Sequence, residues 1–231
     1  MSLIVAVIFA GQFFLADQSN RALRETRKKV REYADCIVKK RPGDATAAVL
    51  SMSENTTLTK DYPKILDEYC FTGFTDKMAF PADLLRYALA DALVRRELAN
   101  QPVLDPQSIA PLAHRDPVPP PSVIQDNAKT SGKKTYNREQ WLFGVALAYA
   151  QVSHLGECVV RTDPGGANRM LASAPTSDVE SAAMRALHPA LSGCLAKGNT
   201  AYLTKEVLRG TIALNYYRLS KAPRVVSGVA R

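Results

Sequence analysis

Four cysteines and three histidines are the residues of this chain whose types and spacing could do chemistry. Cys36 is followed by Cys70, and Cys158 by Cys194. His154 precedes Cys158 by four residues, one helical turn, and His188 precedes Cys194 by six. Two cysteines and two histidines are a ligand set for zinc. The same points of the first pair hold Glu32 and Lys64, so the cysteines repeat and the histidines do not. A catalytic thiol has no close Cys-x-x-Cys to activate it. The third histidine, His114, stands in a proline-rich stretch and suggests no role.

The cysteines mark a duplication. Each of Cys36 and Cys158 is followed by Val after two residues, Pro after six and Ala after nine. Each copy ends in a similar apolar run, LLRYALA at 84–90 and VLRGTIA at 207–213. Four cysteines permit three pairings. Repeated units repeat their internal contacts, which selects Cys36 with Cys70 and Cys158 with Cys194. Closing loops of this size stabilises by roughly 4 kcal/mol.

Arg86 and Arg209 fall at the same point of the two apolar runs. A guanidinium there needs acceptors for its five N–H groups. Two readings follow: a framework tie to a carboxylate or to carbonyls ending a helix, or a carboxylate or phosphate site. The usual enzyme motifs are absent: no Gly-rich phosphate loop, no G-x-S-x-G, no H-E-x-x-H. No catalytic, cofactor or metal residue is therefore assigned.

Helices must position these residues. Over 21–40, Val30, Tyr33, Ala34, Ile37 and Val38 share one face. A short helix follows Pro42, a third runs from Thr57 or Thr59 through Ile65, Leu66 and Tyr69 to Cys70, and a fourth starts near Pro81. In the second copy, Asn137 and Gln140 can cap a helix carrying Trp141, Val145, Ala148, Val152, Leu155 and Val159. Asp163–Pro164 opens the next. Ser177 and Glu180 form a capping box for a third, with Val179, Met184, Leu187 and Leu191 inward and Pro189 kinking it. Thr204 opens the last, with Leu208, Ile212, Tyr216 and Leu219 in one stripe.

The fold expected is all-α: two similar four-helix modules packed with approximate two-fold symmetry, each holding one internal disulfide. Module 1 covers 17–100 and module 2 covers 137–221, with a tail at 222–231. Between them, 101–136 reads as a linker, because seven of the fourteen prolines lie from Pro102 to Pro121. A unit of about 70 residues has a marginal core, so the modules need staples or each other.

Residues 1–16 are apolar apart from Ser2 and Gln12. The run suits a signal peptide or an N-terminal anchor over 3–16, and is shorter than the roughly 20 residues of a spanning helix. Together with paired cysteines it indicates a periplasmic or otherwise extracytoplasmic protein. The net charge is +8, concentrated in 21–41, where nine Lys/Arg face Glu25, Glu32 and Asp35. That basic helix reads first as a solvated face and second as a membrane-surface contact. No aromatics interleave with its basic run RETRKKVRE at 24–32, which argues against nucleic acid.

The second module resembles a group of uncharacterised exported alphaproteobacterial proteins. The matching residues are Gly156, Cys158, Asp163, Pro164, Pro175, Ser177, Cys194, Gly198, Leu208 and Arg209. The first module departs from the pattern, with Arg41 in place of the capping Asp. The resemblance implies export and helical structure, and no activity. The reading is a non-enzymatic helical cell-envelope protein with a binding or structural role and an unknown protein or envelope partner. The alternatives are an envelope hydrolase, marked by a deep pocket in which histidine and carboxylates converge, and a cytoplasmic nucleic-acid binder using the 21–41 helix.

Overall fold

The computed structural model describes residues 14–15, 21–52, 57–71, 82–119, 138–195 and 202–224. Most of the leader expected over 1–16, the linker beyond 119 and the tail past Arg224 lie outside them, as do Pro81, Asn137 and Gly198. Among the described residues the first module supplies α1 (Arg21–Lys40), α2 (Pro42–Leu50), α3 (Leu58–Asp61) and α4 (Ala82–Leu93). The second supplies α5 (Arg138–Thr162), α6 (Pro164–Ala172), α7 (Asp178–Ala186), α8 (His188–Cys194) and α9 (Lys205–Lys221). A π-helical turn, Val94–Leu98, continues α4. Phe14–Leu15 (β1) and Tyr202–Leu203 (β2) form a two-residue parallel pair, which no sequence alternation announces.

The duplication is visible in the packing. The last helices of the two modules, α4 and α9, pack against each other. Each is flanked by its own module's first helix, α1 on α4 and α5 on α9. Each also carries its own second helix, α2 or α6. Reciprocally, α2 touches α9 and α6 touches the turn continuing α4. That exchange is what approximate two-fold symmetry requires. One continuous core results, running from Tyr33, Ile37 and Leu89 through to Met170, Leu187 and Tyr217.

Local chemistry explains the likeness and its limits. Both α2 and α6 are nine residues long, begin on proline and end at a serine in extended conformation. The hydroxyls of those serines donate to carbonyls three residues back, Ser51 to Ala48 at 2.9 Å and Ser173 to Met170 at 2.6 Å. Asp163 accepts from Gly166 N at 2.7 Å and caps α6, a contact worth about 1 kcal/mol. Arg41 has no acceptor to offer, and α2 has no side-chain cap. Thr204 caps α9 through Val207 N at 3.3 Å.

The third helix of each module departs from expectation. In module 2 it is two helices, broken at Leu187, because Pro189 cannot donate to the turn before it. In module 1 it survives only as α3. Pro63 opens a 3-10 turn, and a second 3-10 turn, Glu68–Cys70, carries the cysteine. Ile65 is buried, but Leu66 is exposed and Tyr69 is 80% exposed. Neither belongs to an inward stripe. Trp141 and Val179, also expected inside, are exposed as well.

The disulfides are Cys36–Cys70 and Cys158–Cys194, with Cα atoms 5.6 and 5.8 Å apart. In each module the bond joins the first helix to the end of the third element. The last helices of the two modules touch where Tyr87 faces Gly210, the residues after the repeated arginines. A Cβ at Gly210 would lie 2.4 Å from the Tyr87 Cβ. Only a glycine lets α4 and α9 approach so closely. Gly210→Ala is expected to lower the melting temperature, by the equivalent of about 1–3 kcal/mol for an overpacked core. Gly43→Ala, where nothing lies within 4 Å, is the control. Equal melting temperatures for the two variants would contradict this crossing.

Candidate functional site

Arg209 is buried at the meeting point of four helices. Its Nε donates to Asp91 at 2.9 Å. Nη1 donates to the Met170 carbonyl at 3.0 Å and to Glu180 at 3.1 Å. Nη2 donates to the carbonyls of Leu171 at 2.9 Å and Ser173 at 3.2 Å. Five N–H groups thus meet five protein acceptors. The three carbonyls lie at the C-terminal end of α6, where a cation also complements the helix dipole. No N–H remains for an external anion.

The surrounding ion pairs alternate in sign. Glu180, fully buried, also accepts from Arg27 at 3.3 Å and from the Thr176 backbone N–H at 2.7 Å. Arg27 reaches on to Glu206 at 2.6 Å. On the other side Asp91 accepts from Arg95 at 3.2 Å, and Arg95 pairs with Asp35 at 2.7 Å. Arg31 stands 3.7 Å from Asp35. Four arginines thus balance Glu206, Glu180, Asp91 and Asp35. The basic helix α1 is therefore not uniformly a solvated face: Arg27 turns inward, while Lys28, Lys39 and Lys40 stay exposed. The capping box is also altered. Ser177 Oγ accepts from Glu180 N at 3.0 Å, but the Glu180 carboxylate turns to Thr176 and the arginines.

Arg86 makes the matching approach in module 1. Its Nη2 lies 3.4 Å from Ser51 Oγ, so each repeated arginine reaches the serine that ends its module's second helix. Burial holds Arg86 below its ordinary value, and the nearby Arg218 adds to this. The symmetry ends at the carboxylates. Asp91 stands five residues after Arg86, and Leu214 stands five after Arg209. Only one of the two arginines can therefore cross to the other module's last helix.

A cleft of about 280 Å³ opens above this network, lined by Glu25, Lys28, Arg31, Pro175 and Thr176. Thr176 has φ 69°, a left-handed conformation costly for a β-branched residue. Its N–H bond to Glu180 holds it there. The cleft is small for a ligand pocket and exposes charges of both signs.

A second cluster, around His114, is not among the residues singled out from the sequence. His114 Nδ1 lies 2.9 Å from Ser153 Oγ, and its Nε2 meets Glu157. His154 stacks at 4.0 Å between ring centres and bonds Asp116 at 2.9 Å. Glu157 also accepts from Leu112 N at 2.9 Å and from Arg161 at 2.7 Å. Arg161 in turn donates to the carbonyls of Pro106, Ile109 and Ala110 at 2.8, 3.0 and 2.7 Å. Histidine and carboxylate do converge, in a Ser–His–Glu order. Yet the His114 side chain is only 2% exposed. The cluster clasps the proline-rich segment onto α5. The visible trace in sequence is the polar stripe Ser153, Glu157, Arg161, spaced by one turn each on a largely apolar helix.

Disulfide formation leaves neither Cys158 nor Cys194 as a thiolate for zinc, and His154 is turned to Asp116. No group of three or more metal-ligating side chains is found among the described residues. The chain matches no family model, no curated protein and no solved structure.

Truncating Arg209 to Ala strands Asp91 and Glu180, and breaking a buried pair costs about 3–5 kcal/mol. Arg209→Ala is expected to lower the melting temperature markedly, and Arg86→Ala to lower it less. An Arg209→Ala protein as stable as the parent would overturn this assignment.

The clasp also sets a pH dependence. Burial holds His114 below its ordinary value of 6.5, against the pull of Glu157. Burial alone would raise Glu157, but Leu112 N–H, His114 and Arg161 hold it below its ordinary 4.5. Both folded values are depressed, so the stabilisation is complete above 6.5 and is lost as pH falls through each folded value in turn. Exchange of the Leu112 amide, corrected for intrinsic rate, should accelerate on acidification below 6.5. Glu157→Gln should flatten the response, and a pH-independent parent would contradict it.

Proposed function

We propose that the protein is an exported, non-catalytic helical protein of the cell envelope, serving as a rigid binding or structural module. One observation carries the reading: both modules close a disulfide at matching points, and among the described residues no cysteine is left free. Disulfides used this way belong to oxidising compartments. Two further features support it. Arg209 spends its donors on the framework, and His114 holds a segment of chain in place. The resemblance of the second module to exported proteins points the same way, as does the apolar run at 1–16.

The experiment is a pair of measurements on the full chain in its native host. A phosphatase reporter that works only outside the cytoplasm is fused after residue 30, and the untagged protein is mapped by non-reducing peptide analysis. Reporter activity and the two intramodule disulfides are expected. Full activity of a cytoplasm-only reporter at that junction, or four free thiols in the isolated protein, would sink the proposal.

A further inference from the structure

The proline-rich strap shows what one face of the second module can hold. It runs along α5 from the C-terminal end of that helix towards its start. Arg161 donates to the strap carbonyls of Pro106, Ile109 and Ala110. One turn earlier, Glu157 accepts from Leu112 N–H, and Arg218 of α9 donates to the next carbonyl, that of Ala113, at 2.5 Å. A further turn back, His114 meets Ser153. Most of these contacts go to the backbone, so they hold an extended chain as such. The first module carries the same face. Asp35 precedes Cys36 as Glu157 precedes Cys158, and Lys39 follows Cys36 by three residues as Arg161 follows Cys158. Arg95 stands nine residues after Arg86, and Arg218 nine after Arg209. The correspondence holds in space. Arg95 pairs with Asp35 at 2.7 Å, and Glu157 is close enough to Arg218 to offset part of the lowering that burial imposes on it.

The two faces differ in their cover. Under the strap the Glu157 side chain is 9% exposed, whereas that of Asp35 is 44% exposed and Lys39 is exposed as well. At the place of Ser153 stands Arg31, which lines the cleft with Lys28, Pro175 and Thr176. Glu25 and Glu32 are the acidic residues of this stretch, and Glu32 pairs with Lys28 at 3.9 Å. Arg31 is held only loosely by Asp35, at 3.7 Å. A carboxylate brought there meets a guanidinium, where the strap's imidazole meets a hydroxyl. We propose that the face of α1 bearing Arg31, Asp35 and Lys39 binds an extended, proline-rich segment of a partner protein, as α5 binds the strap, with an acidic residue at the place of His114. Proline-rich chain suits the face because it arrives extended, with little entropy to lose and with carbonyls that its own donors do not match. A separate chain lacks the strap's covalent tether, so the affinity expected is modest. The proposal rests on the binding role above and gives it a surface and a partner chemistry.

The probe is a synthetic peptide of the strap sequence from Leu104 to Val118 carrying His114→Glu, titrated into the isotope-labelled full chain and followed by NMR. A glutamate at that place suits Arg31 and is repelled by Glu157, so the peptide should leave the chain's own strap seated. Saturable shifts are expected at the amides of Asp35 and Lys39, with those of Glu157 and Arg161 unmoved. Lys39→Glu alters an exposed side chain. It should keep the parent melting temperature and weaken peptide binding about tenfold, as loss of a charged donor does. Lys39→Arg, which restores the fork that Arg161 offers the strap, should tighten binding severalfold. Three outcomes overturn the proposal. One is no saturable binding. Another is shifts at Glu157 and Arg161 in place of those on α1, which would mean that the peptide only displaces the strap. The third is binding indifferent to Lys39→Glu. Failure of the peptide to bind leaves the export result standing, whereas an active cytoplasmic reporter overturns the envelope reading and leaves this surface untouched.

Discussion

A cation with two buried carboxylates, Asp91 from one module and Glu180 from the other, holds the centre of this molecule. The guanidinium of Arg209 draws together α4, α6, α7 and α9. Carboxylates buried in this way are tolerable only when fully paired. The pairing in turn fixes where each helix can lie. Glu180 cannot leave Arg209 without also releasing Arg27 and the left-handed Thr176. A group of ionic contacts that would each be weak on the surface thus becomes one cooperative constraint. The disulfides act on separate joints, the first helix and the third element of each module. The two devices are complementary: sulfur closes each module, and charge closes the pair.

Much of this fold is legible because its signals are local and repeated. The matched cysteines, the proline-led second helices and the Ser and Thr caps are short-range chemistry, and duplication doubles each signal. The cysteine pairing and the two-module packing follow from them. What fails is whatever depends on a partner distant in sequence. Leu66 and Tyr69 look like a helical stripe, but Pro63 divides that segment into 3-10 turns and turns both outward. Trp141 fits an inward period, yet no described element covers that end of α5. Glu180 completes a capping box on paper and answers to arginines from α1 and α9 in space. His114, silent in a proline-rich stretch, finds its role only when α5 brings Ser153 and Glu157 to it. That Arg209 needs acceptors for its N–H groups was readable. Its acceptors were not, since Asp91 lies 118 residues away.

The proline-rich segment is a connection that has become part of the framework. Tyr216 Oη accepts from Leu104 N at 3.2 Å, and Arg115 donates to the Met52 carbonyl at 2.7 Å. Between these points Arg161 and Glu157 satisfy backbone groups that proline-rich chain cannot pair with itself. Proline supplies stiffness at low entropic cost, and α5 and α9 of the second module supply most of the hydrogen bonds.

The contact of Tyr87 with Gly210 has a consequence for the molecule's history. Two identical modules meeting about a true two-fold axis would place the same residue on both sides of that point. Two tyrosines would collide there, and two glycines would leave a gap. Once one copy kept the ring and the other the space for it, neither half could satisfactorily pair with its own likeness. The halves have become a lock and its key, obliged to remain on a single chain or, if separated, to seek each other.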